Sequence, residues 1–218
     1  MTPDVRPAGG AALLATFDSL DAVVAFRRGL PTHGLPGVTE VVSGARTLLV
    51  RYDPAHTDAA RLRAALASVV PAPSAVVPDA ADPDAVDPDA AGPVVVPVTY
   101  DGDDLDAVTS VTGMSREELV AWHTGQVWTS AFCGFAPGFS YLTGTATPLH
   151  LPRRTTSRTA VPSGAVALAG EFSAVYPRTS PGGWQLIGRT DVAMWSLDQD
   201  PPALAPAGTR IRFVEADA

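Results

Sequence analysis

AFCGFAPGFSYLTG (Ala131–Gly144), LPRRTTSRTAVPSG (Leu151–Gly164) and YPRTSPGGWQLIGRT (Tyr176–Thr190) decide how this chain folds. Glycine and proline recur too often here for long helices. Val127–Cys133, Ala165–Ala169, Ala174–Tyr176 and Trp184–Ile187 read as short strands between turn signals, followed by Ala193–Leu197 and Arg210–Val214. Short strands so spaced predict a closed or sandwiched β architecture. From Ala131 to Thr190 the chain holds five arginines (Arg153, Arg154, Arg158, Arg178 and Arg189) against one acid, Glu171, within a net charge of −8. A positive island in an acidic protein suits an anionic small ligand or an acidic partner surface. It also suits a barrel rim whose arginines pair with local carboxylates.

Upstream the pattern changes. Ala11–Phe17 reads as a strand, and Asp18 or Ser19 can cap a helix over Asp21–Leu30. Val38–Val42 and Arg46–Tyr52 read as a hairpin around Ser43-Gly44-Ala45. Thr57 or Asp58 then caps a helix over Ala59–Val70, with Leu62, Leu66, Val69 and Val70 at helical spacing. This β-α-β-β-α order lacks one strand of a ferredoxin-like βαββαβ domain, and Val94–Val98 or a shorter local piece can supply it. Pro71–Pro93 is rich in proline and carries five aspartates, so it reads as an extended acidic linker. Val94–Tyr100 opens a second domain. Asp104–Val111 reads as a helix stopped by Gly113, and Ser115 with Glu118 forms a capping box for a helix to Thr124. The fold class is therefore α+β, with residues 1–70 as a small ferredoxin-like domain, 71–93 as linker and 94–218 as a β domain.

Composition excludes several chemistries. All 15 basic residues are arginine. With no lysine there is no Schiff base, no P-loop and no site for attaching biotin. The negative charge argues against nucleic acid as the main partner, and no apolar run reaches the ~20 residues of a membrane span. Cys133 is the only cysteine, which excludes an internal disulfide and fits the cytoplasm. Four dispersed histidines and one cysteine make no metal-ligand spacing, so no metal is expected.

The candidate site residues each have two readings. Phe139 and Tyr141, in a loop shaped by Gly134, Pro137 and Gly138, either wall a pocket or pack a barrel corner. Arg153, Arg154, Arg158 and Arg189 either grip a carboxylate or phosphate with guanidinium forks or form surface ion pairs. Ser180, Gly182, Gly183 and Trp184 either form an anion-binding nest or a tight turn before a strand. His123 and His150 are the acid/base candidates, with a structural role as the alternative for each. Cys133 reads as a core residue.

At these residues the chain resembles the subunit 1 type of the allophanate hydrolase-like carboxyltransferase family. The resemblance lies in GFxPGFxYL (Gly134–Leu142), PRRxTxR (Pro152–Arg158), VPxGxVAxAG (Val161–Gly170), YPxxSPGGWxxIGRT (Tyr176–Thr190) and GxRIRF (Gly208–Phe213). Ser140 and Ser157 stand where the family usually has proline, and Thr209 where it has an acid. The family includes the B component of bacterial 5-oxoprolinase, a sporulation kinase inhibitor and a segment of urea amidolyase. The resemblance implies a ferredoxin-like domain followed by a cyclophilin-like β-barrel. It further implies one component of an ATP-dependent 5-oxoprolinase, hydrolysing 5-oxoproline to glutamate beside a subunit 2 homologue (similar to the C component of 5-oxoprolinase) and a protein similar to its A component. ATP would be bound with those partners. The alternatives are one component of a biotin-dependent urea carboxylase or allophanate hydrolase type of enzyme, and a histidine-kinase inhibitor.

Overall fold

The computed structural model describes residues 3–31, 33–72 and 92–216. The expected linker falls mostly on residues 73–91, outside the described ones. The chain divides into two compact units, one on either side of that segment.

The first unit contains β1 (Asp4–Pro7), β2 (Ala12–Thr16), α1 (Leu20–Arg28), β3 (Val38–Ser43), β4 (Thr47–Tyr52) and α2 (Ala59–Ala67). The β-α-β-β-α run is present as the sequence pattern predicts. The completing strand differs. It is β1, which precedes the run and pairs antiparallel with β2, giving the sheet order β1-β2-β4-β3. Val94–Val98 belongs to the other unit. Asp4–Pro7 is short and mostly exposed, so no periodicity marks it. The helix starts follow local chemistry. Ser19 accepts from the Ala22 N–H, and Asp58 accepts from the Ala60 and Arg61 N–H groups, satisfying donors that have no partner inside the helix. Val23, Phe26, Leu62 and Leu66 then pack on Leu13, Leu48 and Val50 of the sheet. Burying each such side chain contributes about 1.5–3 kcal/mol.

The second unit runs β5 (Val94–Val98), α3 (Leu105–Thr112), α4 (Arg116–Thr124), β6 (Trp128–Cys133), β7 (Ser140–Gly144), β8 (Arg158–Val161), β9 (Ala165–Ala169), β10 (Phe172–Val175), β11 (Ser180–Gly182), β12 (Gln185–Arg189) and β13 (Arg210–Glu215). Seven of these strands form one sheet, in the order β12-β9-β10-β7-β6-β13-β5. Its two end strands meet. Thr99, just after β5, and Arg189, the last residue of β12, exchange both backbone hydrogen bonds at 2.9 Å. The sheet is therefore drawn into a barrel, which removes the exposed edges of an open sheet. The seam requires glycine. A Cβ on Gly188 would lie 2.5 Å from the Thr99 carbonyl oxygen, and one on Gly102 would lie 2.4 Å from that of Leu186.

Two apolar layers flank β9, which is buried along its whole length. Alternation sends Val166 and Leu168 into the barrel interior, with Val96, Val98, Trp128, Leu142, Ile187 and Phe213. It turns Ala165, Ala167 and Ala169 the other way, against Phe139, Tyr176 and Trp184. Small residues on that face leave room for an aromatic layer outside the barrel wall. A bulge at Ala131 adds to the layer. Ser130 pairs with Leu142 but Phe132 pairs with Tyr141, and the Phe132 ring stacks on Tyr141 with centroids 4.3 Å apart. The expected strand Ala193–Leu197 does not form. It makes a single bridge, Trp195 to Ala203, and Trp195 and Leu197 lie exposed.

Candidate functional site

The arginine-rich segment and the aromatic layer come together around the small ribbon of β8 and β11. The ribbon pairs Ser180 with Val161 and Gly182 with Arg158. Arg154 is fixed to it by a hydrogen bond from its backbone N–H to the Gly183 carbonyl.

The deciding charge is Asp104, a residue that sequence reasoning placed only at a helix start. Its side chain is buried. Oδ1 accepts from Arg154 Nη1 and from Arg158 Nη2, the latter at 3.0 Å. Oδ2 accepts from Arg158 Nη1 and from the Leu186 N–H, each at 2.7 Å. Burial alone would push this carboxyl's pKa up. The Arg158 hydrogen bond, the Leu186 N–H and both guanidinium charges outweigh it and hold the pKa below the usual range. Asp103 adds an outer contact to Arg158 at 3.4 Å. Two of the expected ligand-binding arginines are thus committed to a carboxylate some fifty positions away. A clue lay in the acidic run Asp101-Gly102-Asp103-Asp104, but the sequence does not say which arginine meets which acid. Arg189 is spent as well, in an exposed pair with Asp101 at 2.9 Å.

Arg153 stands apart. It is exposed and has no ion pair or side-chain hydrogen bond among the described residues. Its charge acts on the hydroxyls of Tyr141 and Tyr176. Burial raises the pKa of both phenols, and Arg153 opposes the rise in each. Tyr176 is a site residue that sequence reasoning missed.

The aromatic assignments divide by exposure. Phe139 and Trp184 are packed inside the layer, edge to face with centroids 5.5 Å apart. They shape the surface more than they present one. Tyr141 is partly open, and Phe135 is 60% exposed. Phe135 sits at φ 70°, a conformation that disfavours any side chain. The Ala136 N–H bonds the Gly134 carbonyl at 2.8 Å, making a γ-turn of the rare positive-φ kind with Phe135 at its centre. Holding phenylalanine there costs on the order of 1–3 kcal/mol. The rest of the loop is regular. Pro137 and Gly138, the latter at φ 79°, form a turn closed by the Phe139 N–H on the Ala136 carbonyl at 3.0 Å.

Two expectations are corrected here. Gly182 and Gly183 do not form an anion nest, since neither has a positive φ. They are small because protein groups crowd them. A Cβ on Gly182 would meet the Tyr176 hydroxyl at 2.3 Å, and one on Gly183 the Ser157 Oγ at 2.9 Å. Ser180 Oγ and Arg154 Nε, both beside this ribbon, are buried without a protein partner among the described residues. His123 is not placed for acid/base work. It is fully buried, with Nδ1 on the Tyr100 hydroxyl at 2.7 Å and Nε2 on Ser173 Oγ at 2.9 Å, and its ring stacks on Phe213. Burial pushes its pKa down to about 3. His150 is exposed at φ 51°, next to the Leu151–Gly170 bridge. Cys133 is half-buried, with its sulfur against Ser140 and the Ala205 carbonyl.

Residues 3–205 match the family model of the carboxyltransferase domain, subdomain C and D. The chain belongs to this family. Among curated members, it is 40% identical to the B component of 5-oxoprolinase from Bacillus subtilis over 124 residues, 56% of this chain and 52% of that protein. That comparison spans about half the length of the curated relative. Among solved structures, the protein TTHA0988 is 30% identical with a TM-score of 0.73, covering 99% of this chain and 41% of that one. The Kluyveromyces lactis urea amidolyase has a TM-score of 0.69 at 18% identity, over 99% of this chain and 15% of that one, a likeness of fold. Among the described residues, no helix is long and apolar enough to cross a membrane.

Proposed function

We propose that this chain is one component of an ATP-dependent 5-oxoprolinase, with the surface around Arg153 binding the substrate's carboxylate. The observation that carries the reading is a guanidinium, Arg153, without an ion pair among the described residues and with its charge acting on Tyr141 of the aromatic layer, in a chain 40% identical to proteins named as the B component of 5-oxoprolinase. A carboxylate on a small ring suits that combination, because a guanidinium fork grips a carboxylate and aromatic faces cover the ring. In the coupled reaction two waters are consumed: one supplies the new carboxylate oxygen as the ring C–N bond breaks, and the other accounts for the conversion of ATP to ADP and phosphate. The residues around this site do not fit ATP. Its phosphates call for several cations, and Asp104 already neutralises Arg154 and Arg158. Nucleotide binding therefore falls to partner chains, a subunit 2 homologue and a protein similar to the A component of 5-oxoprolinase, in a cytoplasmic heteromer. With His123 locked in the core, His150 is the remaining histidine proposed to move a proton. In the same reading the two units are a ferredoxin-like domain with its edge strand moved to the N-terminal side and a cyclophilin-like barrel.

The test is coexpression with the partner chains. Release of ADP and glutamate that depends on 5-oxoproline is expected. No turnover with every chain folded would end the proposal. Urea in place of 5-oxoproline in the same assay tests the urea carboxylase reading, which rests on likeness of fold.

A further inference from the structure

From the geometry of the Gly134–Phe139 loop we infer that Phe135 is the residue that recognises the substrate ring, and that its strained backbone serves to present it. The inference rests on the reading of the Arg153 surface as the 5-oxoproline site. Three observations meet at Phe135. It is the exposed member of an aromatic layer whose other rings mostly face inward. It is tied to that layer, edge to face with Phe139 at 5.1 Å and with Tyr176 at 6.3 Å. Arg153 is carried to the same layer by the chain: the N–H of the next residue, Arg154, bonds the Gly183 carbonyl at 2.8 Å, and Trp184 packs edge to face on Phe139 with centroids 5.5 Å apart. A ring laid on Phe135 can therefore carry its carboxylate toward Arg153.

The strain argues against a role in folding. A positive φ in a γ-turn suits glycine, or asparagine, better than phenylalanine. A residue kept for stability would not be the one that strains its own turn. Gly138, three positions on, already supplies the loop's other left-handed position, where a Cβ would lie 2.7 Å from that of Trp195. A large exposed ring in the less suitable conformation is placed there for what it touches.

The experiment uses the coexpressed complex, with 5-oxoproline as the probe in titration calorimetry without ATP, and steady-state turnover beside it. F135G and F135N both fit the backbone and remove the ring. Both are expected to melt no more than about 2 °C below the wild type, or above it as the strain is relieved, to bind 5-oxoproline at least about fivefold more weakly, and to raise KM with kcat changed less than about twofold. F135Y is expected to restore affinity to within about twofold. Glycine and asparagine variants that bind as tightly as the wild type would overturn the inference, and with turnover intact would leave the proposed function standing. Wild-type binding that depends on Phe135, without turnover, would keep the inference and remove the proposed reaction. Absence of 5-oxoproline binding by the wild-type complex overturns both.

Discussion

His123 and Asp104 show how two buried polar residues with opposite preferences are handled in one unit. His123 is held neutral by burial, so the two states of the protein bind different numbers of protons. Unfolded, its imidazole returns to an ordinary value near 6.5; folded, it stays unprotonated down to about pH 3. Between those values the unfolded state takes up the extra proton, and stability falls as the solution is acidified. At pH 5 the loss is about 2 kcal/mol, from ~1.4 kcal/mol per unit. Urea unfolding at pH 7 and pH 5 should show it, and His123→Gln should flatten the dependence; equal slopes in the two proteins would refute it. Asp104 is held charged instead. Asp104→Ala would leave Arg154, Arg158 and the Leu186 N–H without their shared acceptor, and should destabilise by about 3 kcal/mol. Arg153→Ala should change stability by less than about 0.5 kcal/mol while raising KM for 5-oxoproline. If the two variants lose stability alike, the division of labour among the arginines is wrong.

At the level of elements, what was legible was whatever local chemistry decides. Ser115 and Glu118 form the expected capping box, Gly113 ends α3 in the left-handed conformation, and Ala165–Ala169 is a strand with the expected bounds. What was hidden depends on distant partners. β8 and β11 carry polar residues, proline and glycine, and become a ribbon only because each supplies the other's hydrogen bonds. Ala193–Leu197 has the apolar run of a strand but meets only the short return segment at Pro202–Leu204, through the single Trp195–Ala203 bridge. The site divided in the same way. The sequence located the arginines and aromatics, but Asp104 selects which arginine stays without an ion pair among the described residues, and no spacing rule connects it to Arg154 and Arg158. The barrel seam offers a test at this level. Gly188→Ala pushes a methyl into the Thr99 carbonyl and should cost about 1–3 kcal/mol. Hydrogen exchange at the Thr99 and Arg189 amides should speed up more than at β9. Uniform acceleration across the barrel would mean that the seam does not open locally.

For the whole molecule, the two units have separate cores, one on the β1–β4 sheet and one inside the barrel with its aromatic layer outside. A fragment of residues 92–218 should therefore fold by itself, with one cooperative urea transition and its native near-ultraviolet signal. A fragment lacking fixed aromatic packing would show that the barrel needs the first unit. β13 lies between β6 and β5, pairing antiparallel with one and parallel with the other. It is also translated after every other strand of the barrel. While the ribosome is still at work, β5 and β6 are already outside but have nothing between them, and their hydrogen-bonding groups face solvent or one another. The barrel can close only after β13 has emerged from the exit tunnel. Until then those two strands carry unpaired edges, the kind of surface on which a chain pairs with the wrong neighbour.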